Sequence, residues 1–246
     1  MLQTKLQPVK KQSNVKIGMG LKKELSHRRD SLIIKSFEEF LASYPSLVFE
    51  KGQTVLLKDE IPTGTYVIET GIIKTYTIND AGEERIISID TKGEDIPIGF
   101  TIGLIERSQY FYKAYTRCTI RVVPCDDYLK HLADNPESLY KRHIRITKIL
   151  LTNLKRIEAL EQSNASEKVA RTLLYMADTL GSTFPNKTVR KLSITQQEIA
   201  NTLGLTRETA GIVLKKLELK QLIEHSRNTY VLYIERLHKF IEKRPD

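Results

Sequence analysis

Cysteine is scarce in this chain of 246 residues, and the two that occur, Cys118 and Cys125, form neither a CxxC pair nor a metal-binding cluster. A disulfide framework and a cysteine-based metal site are therefore excluded. Thiols that need no partner are typical of a reducing compartment, so we expect a cytoplasmic protein. We predict no metal and no resident cofactor.

Long apolar runs are missing as well. No stretch approaches the roughly 18 residues that a membrane span requires. The first 30 residues are basic but contain no hydrophobic signal segment, so neither membrane insertion nor secretion is expected. The sequence also lacks a nucleophile–base pair, metal-ligand spacing and a phosphate-cradling glycine loop, and we therefore do not expect an enzyme.

Positive charge is present in excess, and it is concentrated at the two ends. Residues 1–29 hold 8 Lys/Arg against 1 acid (+7), residues 30–138 hold 11 against 18 (−7), and residues 139–246 hold 20 against 11 (+9). This asymmetry favours nucleic acid or another anionic surface as the partner of the C-terminal part. Residues 1–30 form a basic extension, which we interpret either as a mobile tail or as a weak contact for DNA phosphates.

In the N-terminal half, the spacing of apolar residues changes from a helical pattern to a strand pattern. The segment "SLIIKSFEEFLAS", residues 31–43, has the pattern of a short amphipathic helix that begins at a serine cap. Residues 45–124 then contain β-branched and aromatic runs separated by turn residues, among them "GTYVIETGIIKTYTI" and "EERIISID". "NDAGEE" predicts a hairpin turn in which Gly82 takes a positive φ. Many short strands at this spacing predict a small barrel or sandwich.

A long helix is predicted over residues 136–162. Apolar positions recur in it at heptad spacing, which predicts a parallel dimer seam; the seam members are Leu139, His143, Ile146, Leu150, Asn153, Ile157 and Leu160. Asn153 would fix the register of the two helices. The alternative is a helix that packs on its own barrel through Ile144, Leu151 and Leu154.

A second domain is predicted to begin at "NASEK". Asn164 and Glu167 have the spacing of a capping box, and Gly181 is placed to end the helix that follows. We interpret residues 164–166 as a hinge and residues 183–191 as a loop.

The stretch "QQEIANTLGLTRETAGIVLK" has the pattern of two helices that cross at a steep angle. Small residues allow the close crossing, Gly204 allows the sharp turn, and Thr206 is placed to cap the second helix. The apolar positions that seal the pair are Ile199, Leu203, Leu205 and Val213. A glycine inside the second helix, Gly211, predicts the close approach of a neighbour or of DNA.

The first turn of this second helix carries side chains suited to bases. An arginine matches the O6 and N7 atoms of guanine, and a glutamate accepts a hydrogen bond from N4 of cytosine, so Arg207 and Glu208 are candidates for contacts with adjacent base pairs. The alternative is a solvated ion pair at a helix start. The candidate base-contacting residues are Thr206, Arg207, Glu208 and Thr209.

"LIEHSRNTYVLYI" alternates around a polar tip and predicts a two-stranded wing behind the second helix. Cationic and polar residues on the helix and the wing lie where phosphate contacts are useful. The candidate DNA-backbone contacts are Gln196, Gln197, Lys215, Lys216, Arg227 and Thr229.

From about Ser31 onward, this order of elements resembles the Crp/Fnr family of bacterial transcription regulators, most closely in "ITQQEIANTLGLTRETAGIVLKKLE". The resemblance implies an α+β fold: a cyclic-nucleotide-binding-like β-roll (jelly-roll) sensor over residues 31–135, a dimerisation helix over 136–163 and a winged helix-turn-helix over 164–246. It implies base contacts by Arg207 and Glu208. A second base-contacting arginine of catabolite-activator-like members falls at Ile212, and a phosphate-contacting arginine falls at Gln196.

The sensor departs from the family pattern. The resemblance implies an effector pocket at Gly99, Phe100, Arg107, Ser108, Tyr110, Tyr112 and Asn153. Phe100 replaces the glutamate that holds ribose, and the Arg-Ser pair that holds phosphate is displaced by one residue, so we do not expect cyclic AMP. An iron–sulfur sensor needs four cysteine ligands, which this chain lacks. Tyr110, Phe111, Tyr112 and Tyr115 form either an aromatic effector wall or ordinary strand packing.

We therefore predict a sequence-specific transcription regulator that binds double-stranded DNA as a homodimer, with RNA polymerase as a further candidate partner near residues 183–191. The alternative is a ligand-binding sensor whose basic domain contacts nucleic acid nonspecifically or binds another protein.

Overall fold

The computed structural model describes residues 36–162, 164–183 and 188–242. The chain divides into two compact units, Met1–Ser43 and Tyr44–Asp246. In the first unit, helix α1 occupies residues 36–42, and the rings of Phe37 and Phe40 lie 6.2 Å apart. The predicted basic extension and the serine cap at the start of residues 31–43 lie outside the described residues.

Two four-stranded antiparallel sheets begin the second unit. Their strands are β1 (Ser46–Phe49), β2 (Thr54–Leu56), β3 (Thr65–Thr70), β4 (Ile72–Ile78), β5 (Glu84–Thr91), β6 (Asp95–Ile96), β7 (Phe111–Ala114) and β8 (Cys118–Val123). The strand orders are β1-β8-β3-β6 and β2-β7-β4-β5. Side chains from different strands, such as Ile68, Ile73 and Ile120, are fully buried in one shared core. The predicted β-roll is confirmed.

Two glycines set the path of the roll. Gly71 has a φ of 89° and separates β3 from β4, so the apolar run "YVIETGIIKTY" supplies one strand to each sheet. A Cβ there would overlap the carbonyl of Arg117, which makes glycine necessary. Gly82, with a φ of 78°, forms the predicted hairpin turn, and the Asn79 side chain accepts hydrogen bonds from the amides of Ala81 and Glu83.

Helix α2 (Cys125–Asp134) follows the roll and leads into the long helix α3 (Pro136–Leu160). The long helix was predicted and is confirmed, whereas α2 was not predicted because its ten residues contain few apolar positions. None of the helices in the described ranges is long and apolar enough to cross a membrane.

The C-terminal region contains α4 (Ala165–Leu180), β9 (Ser182–Thr183), β10 (Val189–Ser193), α5 (Gln196–Leu203), α6 (Arg207–Leu219), β11 (Ile223–Ser226), β12 (Thr229–Tyr233) and α7 (Ile234–Glu242). Its sheet has the order β11-β12-β10-β9. The four helices and this sheet share a core that includes Leu173, Met176, Leu192 and Leu217. The predicted winged helix-turn-helix is confirmed.

Three local predictions need correction. The segment 183–191 is not simply a loop, since β10 begins at Val189 and pairs with the wing strand β12. Only half of the predicted capping box forms: Asn164 accepts from the amides of Ser166 and Glu167, but the Glu167 carboxylate accepts from Arg171. Gly181 does follow α4, but its φ of −76° is not left-handed, and close approach to the Ala177 carbonyl explains the glycine.

Candidate nucleic-acid interface

The turn between α5 and α6 is held by local hydrogen bonds. Thr195 caps α5 in a complete capping box, in which its hydroxyl accepts from the Glu198 amide and the Glu198 carboxylate accepts from the Thr195 amide. Gly204 ends α5 in the left-handed conformation, with φ 68° and ψ 28°. Thr206 then caps α6 and accepts from the Thr209 amide. The predicted turn glycine and the predicted cap at Thr206 are confirmed.

Arg207 and Glu208 are both exposed in the first turn of α6. Within the described part of the chain, neither side chain forms an ion pair or a hydrogen bond, so the two do not neutralise each other. Thr206 and Thr209 are also exposed, but their hydroxyls lie 2.9 Å apart and hydrogen-bond to each other. The arginine and the glutamate therefore keep their full hydrogen-bonding capacity for a partner outside the chain.

Gln196 makes a contact with α6. Its Nε2 donates to the main-chain carbonyl of Arg207 at 2.6 Å, and a Cβ at Gly211 would overlap this amide group. Gly211 is thus explained by the close approach of a neighbour, as the sequence predicted. The contact ties the start of α5 to the first turn of α6 and fixes the backbone that carries Arg207.

The remaining predicted phosphate contacts lie on α5, on the later turns of α6 and on the wing. Gln197 is exposed and donates to Asn201 at 2.8 Å, and Lys215 forms an ion pair with Glu218 at 2.7 Å. Lys216 is exposed on the same helix. Arg227 is exposed at the wing tip with a φ of 53°, and the half-buried Thr229 follows it. Cationic and amide groups are therefore exposed on both helices and at the wing tip.

Helix α3 presents an exposed aliphatic band. Leu139, Ile146, Leu150 and Ile157 of the predicted seam are exposed, His143 is exposed, and Asn153 and Leu160 are half-buried. The alternative, in which Ile144, Leu151 and Leu154 pack on the roll, is wrong because these three are exposed as well. The described residues thus leave an apolar surface on α3 that the single chain does not cover.

Beside this band, α3 meets the roll through charged groups, which sequence reasoning missed. Arg142 forms an ion pair with the buried Asp95 of β6. Arg156 donates to the carbonyls of Ile86 and Ile87 on the edge strand β5, and also to the Thr202 carbonyl of α5 at 3.4 Å. Arg156 therefore joins the roll, the long helix and the helix-turn-helix.

Buried carboxylates accompany these arginines. Burial raises the pKa of Asp90 to about 6, although hydrogen bonds from Thr75 and Ser88 oppose the shift. Burial likewise raises the pKa of Glu94 to about 7, against the hydrogen bond from the Thr91 amide. Both carboxylates belong to the run "IDTKGED", whose charged residues are also typical of an exposed turn, so the sequence alone does not reveal their burial.

The residues of the predicted effector pocket differ in exposure. Arg107 is exposed and donates to the Asp59 carbonyl at 3.0 Å, while the adjacent Ser108 is buried and donates to the Tyr110 carbonyl at 2.6 Å. Gly99 has a φ of 88°, and Phe100 beside it is half-buried. Arg107 is thus bound to the segment between β2 and β3, and the Ser108 hydroxyl is bound within its own segment.

The predicted aromatic cluster does not form one wall. Tyr112 is buried inside the roll, whereas Phe111 stacks on Tyr76 with ring centroids 5.2 Å apart. Tyr115 donates to the Ser193 carbonyl at 3.3 Å, and thus contacts the C-terminal region. Strand alternation separates neighbouring aromatic residues onto opposite faces, which a linear run of letters does not reveal.

Comparisons with known proteins agree with this architecture. A model of the Crp-like helix-turn-helix domain matches residues 167–240. The cAMP-activated global transcriptional regulator CRP of Escherichia coli is 26% identical over 202 residues, which cover 80% of this chain and 94% of that protein. Electron transport regulator A of Shewanella oneidensis is 25% identical over 187 residues, covering 76% and 73%.

A solved structure has the same fold. The c-di-GMP-responsive global regulator CLP of Xanthomonas campestris superimposes with a TM-score of 0.67 at 22% identity, covering 81% of this chain and 99% of that one.

Proposed function

We propose that this chain, which belongs to the Crp/Fnr family of DNA-binding transcription regulators, acts in the cytoplasm as a homodimer on a two-fold symmetric DNA site. The observation that carries the proposal is the exposed and unpartnered pair Arg207 and Glu208 at the start of α6. Buried or neutralised, the same two side chains could not discriminate between bases.

In this proposal the first turn of α6 enters the major groove. Arg207 donates to O6 and N7 of a guanine, and Glu208 accepts from N4 of a cytosine at a neighbouring pair. Thr206 and Thr209 lie at the same end of the helix, where their methyl groups and hydroxyls face base edges. Each such bidentate contact contributes roughly 1–3 kcal/mol of discrimination against the wrong base.

Phosphate contacts orient the domain on the duplex. We assign this role to Gln197, Lys215 and Lys216 on the helices and to Arg227 and Thr229 on the wing, because these residues carry cationic or hydrogen-bonding groups on the helix-turn-helix and its wing. Gln196 would contribute chiefly by positioning, since its amide already donates to the Arg207 carbonyl. Backbone contacts fix register and carry most of the salt dependence of binding.

The dimer is proposed to form along α3, whose uncovered aliphatic band requires a partner. The sensor spans residues 31–135, the dimerisation helix 136–163 and the DNA-binding domain 164–246. Two parallel α3 helices would hold the two α6 helices in successive major grooves, about 34 Å apart. Asn153, half-buried within the seam, would set the register.

We further propose that a small molecule other than cyclic AMP gates the protein. Phe100 stands where a ribose-binding glutamate would be required, and Arg107 and Ser108 already donate to main-chain carbonyls of Asp59 and Tyr110. An effector would change the angle between α3 and the DNA-binding domain at residues 164–166. The segment 183–191 is the candidate contact for RNA polymerase by positional analogy; residues 184–187 of it lie outside the described residues.

The proposal is tested by selecting binding sites from a random DNA library in the presence of competitor DNA. A two-fold symmetric motif is expected, and Arg207→Ala should lose about 1–3 kcal/mol at one base pair of each half-site and relax the preference there. Arg117→Ala is the matched control, because Arg117 is equally an exposed arginine but pairs with Glu50 on the roll. Selection of no motif would favour the nonspecific binder.

A further inference from the structure

One aliphatic side chain interrupts the polar surface of the recognition helix. Ile212 is 60% exposed on α6. Glu208 lies one turn before it and Lys215 and Lys216 lie one turn after it, and all three are exposed. On an α-helix, residues four apart share a face, so Ile212 continues the surface that begins with Glu208.

The fold of the chain makes little use of this isoleucine. The face of α6 that seals the C-terminal core is formed by Ala210, Val213, Leu214 and Leu217, which are all buried. Isoleucine is a poorer helix former than alanine, and its exposed apolar surface adds no folding free energy. The side chain is therefore available to a partner outside the chain, and its place on the same helix face as Glu208 puts it within reach of whatever Glu208 binds.

We propose that Ile212 contacts the 5-methyl group of a thymine in the major groove and so determines specificity at one base pair of each half-site. This inference rests on the proposed function, because it requires α6 to lie in that groove. Among the base-edge groups of the major groove, the thymine methyl is the apolar one, and apolar side chains contact it. Cytosine lacks this methyl group, so the position should prefer thymine over cytosine.

The helix geometry limits where the thymine lies. At a rise of about 1.5 Å per residue, Ile212 is roughly 6 Å beyond Glu208 along the axis of α6. Successive base pairs are about 3.4 Å apart, so the methyl group lies within about two base pairs of the pair that Glu208 contacts. The contact is thus tied to the same half-site as the arginine and glutamate contacts.

The test replaces each thymine of the selected site, one at a time, by deoxyuridine, which removes only the methyl group. For the wild-type protein we expect one position in each half-site at which this change weakens binding about fourfold, the equivalent of one buried methyl-sized group. Substitution in both half-sites should weaken binding roughly 15-fold. Ile212→Ala should bind thymine and uracil sites equally well.

Two further variants make the result specific. Leu219→Ala is the matched control, since Leu219 is 74% exposed at the far end of the same helix and should leave the methyl preference intact. Ile212→Val retains a branched aliphatic group and should keep part of the preference. Wild-type indifference to uracil at every position overturns the inference, as does methyl discrimination that survives in Ile212→Ala. In either case a selected motif would leave the proposed DNA-binding function standing.

Discussion

The exposed band on α3 leads to a specific prediction: Leu150→Asp should convert the proposed dimer into a monomer. Leu150 is 56% exposed in the single chain and belongs to the predicted seam. Its neighbour Leu151 is 54% exposed but lies about 100° around the helix, outside the seam. The two leucines therefore have the same chemistry and exposure but different expected surroundings in the assembly.

The magnitude follows from burial. Full burial of a leucine side chain is worth about 1.5–3 kcal/mol, and roughly half of Leu150 remains to be buried by a partner. The two protomers together thus lose about 2 kcal/mol when the side chain is removed. Placing two carboxylates in the seam costs several kcal/mol more, because neither has a cation there. A total of about 5 kcal/mol corresponds to a dimer dissociation constant raised by more than about a thousandfold.

Sedimentation velocity over a range of micromolar concentrations measures the change directly. Wild type and Leu151→Asp should both sediment as dimers. Leu150→Asp should sediment as a monomer with unchanged helix content by circular dichroism, and it should lose the affinity advantage of a two-half-site duplex over a half-site. A dimeric Leu150→Asp, or a Leu151→Asp that dissociates more readily, would show that the seam is wrongly assigned.

Three further predictions concern the described contacts. Gly211→Ala should change the free energy of unfolding by less than about 1 kcal/mol, because the better helix propensity of alanine offsets the loss of the Gln196 hydrogen bond. The same variant should weaken DNA binding as much as Gln196→Ala does. The double variant should show no additional loss of binding. Arg156→Met should lower the free energy of unfolding by about 2–3 kcal/mol in urea titrations, since buried carbonyls lose a charged donor. The pKa of Asp90 is raised to about 6 and that of Glu94 to about 7 in the folded protein, so the folded state binds more protons than the unfolded one. The free energy of unfolding should therefore fall as pH rises from about 4 to 7. Asp90→Asn should reduce this pH dependence.

Local patterns were sufficient to predict the recognition unit. The positions of Gly204 and Thr206 follow from backbone chemistry that acts over a few residues, namely a left-handed turn and a capping hydroxyl. The long helix could also be predicted, because its heptad repeat extends over many turns. Gly211 was correctly predicted to have a close neighbour, but the identity of that neighbour, Gln196, depends on how two helices cross.

Contacts between distant segments could not be predicted. Arg156 and the carbonyls of Ile86 and Ile87 are about 70 residues apart in sequence, and a main-chain acceptor leaves no trace in side-chain letters. The ion pair between Arg142 and Asp95 could not be predicted either, because in the sequence both residues resemble ordinary surface charges. Helix α7 was missed because its residues follow the wing strand without an interrupting turn signal.

Two kinds of contact surface on α3 favour a route from the sensor to the DNA. Arg142 and Arg156 bind the roll, whereas the aliphatic band beside them is exposed. The ion pair between Arg142 and Asp95 depends on the local charge, and Asp90 and Glu94 both act electrostatically on Asp95, so a proton gained by either carboxylate alters that pair. An aliphatic seam depends on buried area and is insensitive to such a change. A charge change in the roll would therefore act on α3 through Arg142, while the proposed dimer seam would be unaffected.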